Sequence, residues 1–153
     1  MRIALCSDEP YPVHATLRAA IEERGHVVVP FGAVRSQQEC PFACAAEEAS
    51  LALATGACDE GVFLCWSGTG ICIAANKVPH IRAALCVDPA TAQAARIWNH
   101  ANVLCLSNRT LSDDVAKEIL AAWFDTQPGD RGAAGVTLLD EVDARHRRSL
   151  RDT

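Results

Sequence analysis

No run of 18 uninterrupted apolar residues occurs in this 153-residue chain, so a membrane-spanning helix is not expected. An excess of positive charge is missing too. Lys and Arg number 14 against 19 Asp and Glu, and a net charge of −5 argues against general affinity for nucleic acid or an anionic membrane. The eight cysteines include no C-x-x-C pair, and no histidine stands at zinc-finger spacing from a pair, so neither a metal nor another cofactor is indicated. There is no internal repeat and no low-complexity segment. The opening Met1-Arg2-Ile3-Ala4-Leu5-Cys6-Ser7-Asp8 reads as a strand and not as a cleavable leader, which suggests a cytoplasmic protein.

Half of the residues are hydrophobic, enough for one well-buried domain over residues 1–153. Short apolar runs alternate with helical periodicity. Strands are expected at Arg2–Cys6, His26–Phe31, Val62–Cys65, Ile81–Val87 and Asn102–Leu106. A helix carrying Val13, Leu17, Ala20 and Ile21 stops at Gly25. A second opens at Pro41 and places Phe42, Ala45, Ala49 and Leu53 on one face. Others are expected at Ile71–Val78, from Asp88-Pro89 to about Asn99, after a cap at Ser112 or Asp113, and over Val136–Leu150. Residues 32–39 and 126–135 read as loops. Five such alternations with apolar strands predict an α/β fold, a parallel sheet with helices on both faces. Ligands of such sheets sit beyond the carboxyl ends of the strands, which lines up the loops after residues 6, 65, 87 and 106. Residues 126–153, a loop plus a helix ending in Arg145-His146-Arg147-Arg148, could reach another subunit.

The most informative stretch is Gly61-Val62-Phe63-Leu64-Cys65-Trp66-Ser67-Gly68-Thr69-Gly70-Ile71-Cys72-Ile73-Ala74-Ala75-Asn76-Lys77. It is a strand, a small-residue turn and an alanine-rich helix, with a thiol at the strand end. Glycines at 68 and 70 allow close backbone approach, and the helix N-terminus that follows favours an anion and a thiolate. Residue 73 is Ile, not the third glycine of a dinucleotide fingerprint, and Lys77 is too far along for a P-loop. On pattern alone the stretch is either a tight βα turn or a site where Cys65 abstracts a proton beside a carbonyl while N–H groups hold the developing oxyanion. The remaining cysteines read as small buried hydrophobes.

Together with Ile81-Arg82-Ala83-Ala84, Asn102-Val103-Leu104 and Arg109, this stretch resembles the signature of the ribose-5-phosphate isomerase B / galactose-6-phosphate isomerase family over roughly residues 1–131. The resemblance implies a Rossmann-like three-layer α/β/α sandwich with a five-stranded parallel sheet and a C-terminal helix. It also implies a homodimer or homotetramer with sites shared between subunits, and metal-free aldose–ketose isomerisation of a sugar or sugar phosphate through a cis-enediolate. Carried over by position, Cys65 is the base and the Ser67 hydroxyl assists it. Gly68, Thr69 and Gly70 form the loop that holds the enediolate oxygen, and Asp8 and Asn99 contact the sugar. Arg109 follows strand five, and Arg131 is what survives of an arginine-bearing tail motif.

Several family positions are changed. Glu9 stands where the family has a phosphate-contacting His, and at ~5 Å with an effective dielectric of ~20 each unit of like charge costs roughly 3 kcal/mol. Trp98 replaces the ring-opening His, with His100 two residues on; Cys40-Pro41 replaces Tyr-Pro; and Gly135 stands where a second tail arginine belongs. Trp98 also fits as an aromatic packing on a neighbouring subunit, His100 as a capping residue, and Glu9 as a solvated side chain. The altered positions imply a shorter or unphosphorylated sugar as one alternative. A half-site subunit working with a related partner chain is another, and a binding module without chemistry a third.

Overall fold

A computed structural model describes residues 1–149, with side chains through His146. Its strands are β1 (Arg2–Ser7), β2 (Val27–Gly32), β3 (Glu60–Cys65), β4 (Ala83–Leu85) and β5 (Val103–Ser107). They form one sheet in the order β2-β1-β3-β5-β4, and every pairing is parallel. The α-helices are α1 (Val13–Glu23), α2 (Ala33–Ser36), α3 (Phe42–Ala54), α4 (Thr69–Ala75), α5 (Pro89–Asn99), α6 (Asp113–Asp125) and α7 (Ala133–Ser149). Among the described residues no helix is long and apolar enough to cross a membrane.

Side chains of a strand alternate between faces, and here both faces are buried. Ile3 and Leu5 of β1, Val62 and Leu64 of β3, and Leu104 and Leu106 of β5 pack with Leu17, Ile119 and Trp123 in one core. The intervening Ala4 and Cys6, Phe63 and Cys65, and Val103 and Cys105 face the other way, against Ala45, Ala46 and Ala49 of α3 and Ile71 of α4. The second core is built from small residues, so α3 lies close to the sheet, and thiols fill volumes a leucine would overpack. That accounts for the cysteines late in the strands. Burial pushes the thiols of Cys6, Cys86 and Cys105 up, which keeps them in the inert protonated form.

The ends of β1, β2, β3 and β5 fall within one or two residues of the expected bounds, and the structure departs further at four places. Residues 32–39 are not wholly loop, because Ala33–Ser36 form the short helix α2. Strand four is three residues, not seven. Side chains take the backbone groups at its start: Asn102 Oδ1 accepts from Arg82 N at 2.8 Å, and Asn76 both accepts from Ala83 N and donates to Ala83 O at 2.9 Å. Helix α4 stops at Ala75, short of Val78. Within 126–135 a 3-10 turn spans Asp130–Gly132 and α7 starts at Ala133, three residues early. Leu150, the expected end of that helix, and the side chains of Arg147 and Arg148 lie outside the described residues. Of the two expected caps for α6, Ser112 is the one used, its Oγ accepting from Val115 N at 3.3 Å.

Candidate active site

At the carboxyl edge of the sheet, β3 ends on Cys65, which is only 5% exposed. The chain then turns through Trp66, Ser67 and Gly68 into α4. Gly68 has φ 76°, and a Cβ there would stand 2.6 Å from Leu85 Cδ1 and 2.9 Å from the Leu106 carbonyl, so no other residue fits without displacing β5. Gly70 follows in the first turn of α4. A Cβ there would stand 3.2 Å from the ring of Phe42, so this glycine also lets α3 pack closely on α4. The Ser67 and Thr69 hydroxyls bond each other at 2.6 Å beside the first turn of α4, whose backbone N–H groups no preceding turn can use.

The adjoining loops are tied to this turn. Asn108 N donates to Cys65 O at 2.9 Å, Arg109 N to Trp66 O at 3.1 Å, and Ser107 Oγ to Trp66 O at 2.8 Å. The Arg109 guanidinium lies 4.9 Å from the centre of the exposed Trp66 ring, a stacking that holds a cation at the rim. On the other side β1 delivers Asp8 and Glu9, both half-buried. Asp8 Oδ1 is buried with no hydrogen-bond partner among the described residues. Burial raises the Asp8 carboxyl above its ordinary range and Glu9 and Glu39 add to the rise, while the backbone amides of Asp8 and Glu9 oppose it. The rim is therefore acidic at β1 and basic at β5, with the thiol between.

Trp98, Asn99, His100 and Arg131 are not at this rim. Helix α5 begins beside it at Asp88 and runs back, so its last residues lie at the amino edge of the sheet. That is about 17 Å away for a five-residue strand at ~3.3 Å per residue. The helix has ended where His100 follows it with φ 46°, but the ring is engaged, Nε2 pairing with Gly129 O at 2.9 Å. The Arg131 guanidinium covers the Trp98 ring at 5.5 Å. Gly132 lies flat on the end of α5, where a Cβ would stand 2.5 Å from Ile97 O and 2.7 Å from Trp98 O. One chain thus gathers Asp8, Glu9, Cys65, Ser67, Gly68, Thr69, Gly70 and Arg109 at one pole, and the other four expected residues at the opposite pole.

Two features had no signal in the sequence. Cys72, one turn into α4 and half-buried, is brought down to about 7 by a hydrogen bond with Cys105 that outweighs its burial. A polar chain under the rim joins His14, Asn108 and Ser7; isolated polar residues in helical or strand periodicity give no hint of partners about a hundred positions away.

A parallel sheet with a shielded thiol at a strand end, beside a glycine turn that opens a helix, belongs to the α/β enzymes that work at the carboxyl edge. Comparison with known proteins makes this specific. The family model described as Ribose/Galactose Isomerase matches residues 3–139. Ribose-5-phosphate isomerase B of Escherichia coli (strain K12) is 36% identical over 128 residues, covering 83% of this chain and 85% of that protein. D-erythrulose-4-phosphate isomerase of Pectobacterium atrosepticum is 45% identical over 83 residues, covering 54% and 55%. Among solved structures, ribose-5-phosphate isomerase B of Clostridium thermocellum superposes with a TM-score of 0.89 at 32% identity, covering 95% of this chain and 99% of that one. The chain belongs to the ribose/galactose isomerase family, and it is an aldose–ketose isomerase.

Proposed function

We propose that this chain interconverts the aldose and ketose forms of a four- or five-carbon sugar phosphate, with Cys65 moving the proton between the two carbons through a cis-enediolate. The observation that carries the assignment is the placing of Cys65, shielded at the end of β3, next to the Gly68 turn and the first N–H groups of α4. A thiolate there takes the proton α to the carbonyl, the electron pair moves onto the carbonyl oxygen, and backbone N–H groups hold the resulting oxyanion. The proton returns to the neighbouring carbon as the second carbonyl forms. Ser67 and Thr69, already paired, offer a hydroxyl to the same oxygens. Asp8 and Glu9 suit sugar hydroxyls and repel phosphate, so the phosphate lies toward Arg109. The relatives named for five- and four-carbon sugar phosphates support that size range.

A complete site on this reading needs a second copy. Trp98, Asn99, His100 and Arg131 serve the Cys65 rim only when the amino pole of one chain meets the carboxyl pole of another, as a two-fold dimer allows. Helix α7 supports it. Leu138, Leu139 and Val142 are exposed, and the helix stands off β4 across a cavity of about 560 Å³ lined by Val78, Ile81 and Asn99 among others. The whole chain then acts as one unit, with residues 126–149 reaching the second copy. It works in the cytoplasm, where its eight unpaired cysteines stay reduced.

The test is solvent deuterium incorporation followed by NMR, with tetrose, pentose and hexose phosphates and the free sugars as substrates. Exchange at the carbon next to the carbonyl, absent in Cys65→Ala, is expected for the tetrose or pentose phosphates. Full exchange in Cys65→Ala would remove Cys65 from the mechanism. Exchange confined to free sugars would replace the phosphate reading with the unphosphorylated one.

A further inference from the structure

The polar chain beneath the rim closes on itself. Tyr11 N donates to His14 Nδ1 at 3.4 Å, which leaves the ring proton on Nε2, and Nε2 lies 3.0 Å from Asn108 Oδ1. Asn108 Nδ2 donates to Ser7 Oγ at 3.1 Å, and Ser7 Oγ donates to Glu9 O at 2.8 Å. Donors therefore run in one direction from Tyr11 to Glu9, and both ends lie in the loop that carries Asp8 and Glu9. The three side chains are buried: Ser7 is fully enclosed, Asn108 is 6% exposed and His14 8%. Polar groups at that depth cost free energy unless every bond is made, so the ring holds a single arrangement. Asn108 is also the residue whose backbone N–H holds Cys65 O. One residue thus joins the strand end bearing the thiol to the loop bearing the carboxylates.

We infer that His14, Asn108 and Ser7 are positioning residues, which set the Asp8–Glu9 loop at a fixed reach from Cys65 so that the sugar hydroxyls and the reacting carbons are held together. Neither His14 nor Asn108 touches the substrate; both act through the loop. The inference rests on the reading of Cys65 and Asp8 as facing one substrate. A loop misplaced by an ångström at the sugar hydroxyls weakens binding more than it slows proton transfer at Cys65, because the thiol and the glycine turn are held separately by β3 and β5.

The experiment compares His14→Leu with His14→Gln in the full-length protein. Leu fills the site and removes the donor, whereas the Gln amide can still donate to Asn108 Oδ1. Steady-state kinetics and deuterium exchange are read with the substrate that the unsubstituted protein accepts, and thermal unfolding is recorded for each variant. The expected result is about a tenfold rise in KM for His14→Leu with kcat within about threefold, and recovery of most of the loss in His14→Gln. Equal kinetics in all three proteins would overturn the inference, as would a fall in kcat alone or equal losses in Leu and Gln. Should His14→Leu fail to fold, Ser7→Ala breaks the ring at its last link and is held to the same KM criterion. An unsubstituted protein without exchange on any sugar would sink the isomerase reading and this inference with it, whereas active protein with indifferent variants sinks the inference alone.

Discussion

Glu60 opens β3 at the amino edge of the sheet, and its carboxylate is enclosed. Oε1 meets Arg96 Nη2 at 2.7 Å and Oε2 accepts from Trp123 Nε1 at 2.8 Å. Arg96, 3% exposed, also donates from Nη1 to Ala101 O at 2.6 Å and from Nε to Thr126 O at 3.2 Å, and its guanidinium sits 4.8 Å from the centre of the Trp123 ring. The ends of α5 and α6 are thereby pinned to the start of the central strand. Glu60→Gln keeps an acceptor for Trp123 but strands the guanidinium, and breaking a buried pair from one side costs about 3–5 kcal/mol. Arg96 keeps its two carbonyls, so the loss falls near ~3 kcal/mol, and at about 2–4 °C per kcal/mol for a chain of this size Tm drops by roughly 6–12 °C. Arg96→Met loses the carbonyl bonds as well and falls further. The double variant Glu60→Gln/Arg96→Met then unfolds at a higher temperature than Arg96→Met alone, since the stranded carboxylate is gone and Trp123 Nε1 keeps an acceptor. Circular dichroism melts at one fixed protein concentration test this, because assembly would otherwise shift the midpoints. A Tm for Glu60→Gln within about 3 °C of the parent would refute the reasoning. So would a double variant as destabilised as the two single changes summed.

Two other outcomes are expected. If two poles of different copies form each site, mixing inactive Cys65→Ala with inactive Asn99→Ala under exchange of subunits restores about one quarter of the parental rate, since half the dimers are mixed and one of their two sites is whole; a mixture that stays inactive argues for sites within one chain. Asp88 caps α5 by accepting from Thr91 N at 2.7 Å, and that bond holds its carboxyl below the ordinary carboxylate range. Its contribution is present above the unfolded carboxylate's pKa and is lost as pH falls through the lowered folded value. Asp88→Ala therefore lowers Tm by roughly a few degrees at neutral pH, and the gap to the parent closes in acid; a gap that does not change with pH would contradict the capping role.

The layered sheet was legible because both faces of β1, β3 and β5 are apolar and their helices carry plain periodicity and caps. Strand four was overread because Ile81–Val87 is apolar at every position but Arg82, while the residues that take the backbone groups at its start, Asn76 and Asn102, act from other elements. At the site, the Cys65–Gly70 turn was legible as local geometry, since thiol, glycine and helix start are adjacent in the chain. The division of the expected residues between two poles was not, although the run of α5 away from the rim follows from the parallel sheet once β4 and β5 are known to be neighbours. The ring through His14 and Asn108 was invisible for another reason: a buried polar residue declares itself only through partners, and these lie 94 positions apart.

Gly132 closes the account of the tail. The chain crosses the last carbonyls of α5 at this residue with no room for a methyl group, and immediately afterwards α7 begins. The heading of a 17-residue helix is therefore decided at a fulcrum of one residue, upstream of every side chain that α7 presents. Changes of charge or length beyond the fulcrum alter what the lever reaches without disturbing the sheet, whereas any side chain at the fulcrum swings the whole arm. Such an arrangement lets the outer surface of α7 diverge freely while position 132 stays confined to glycine.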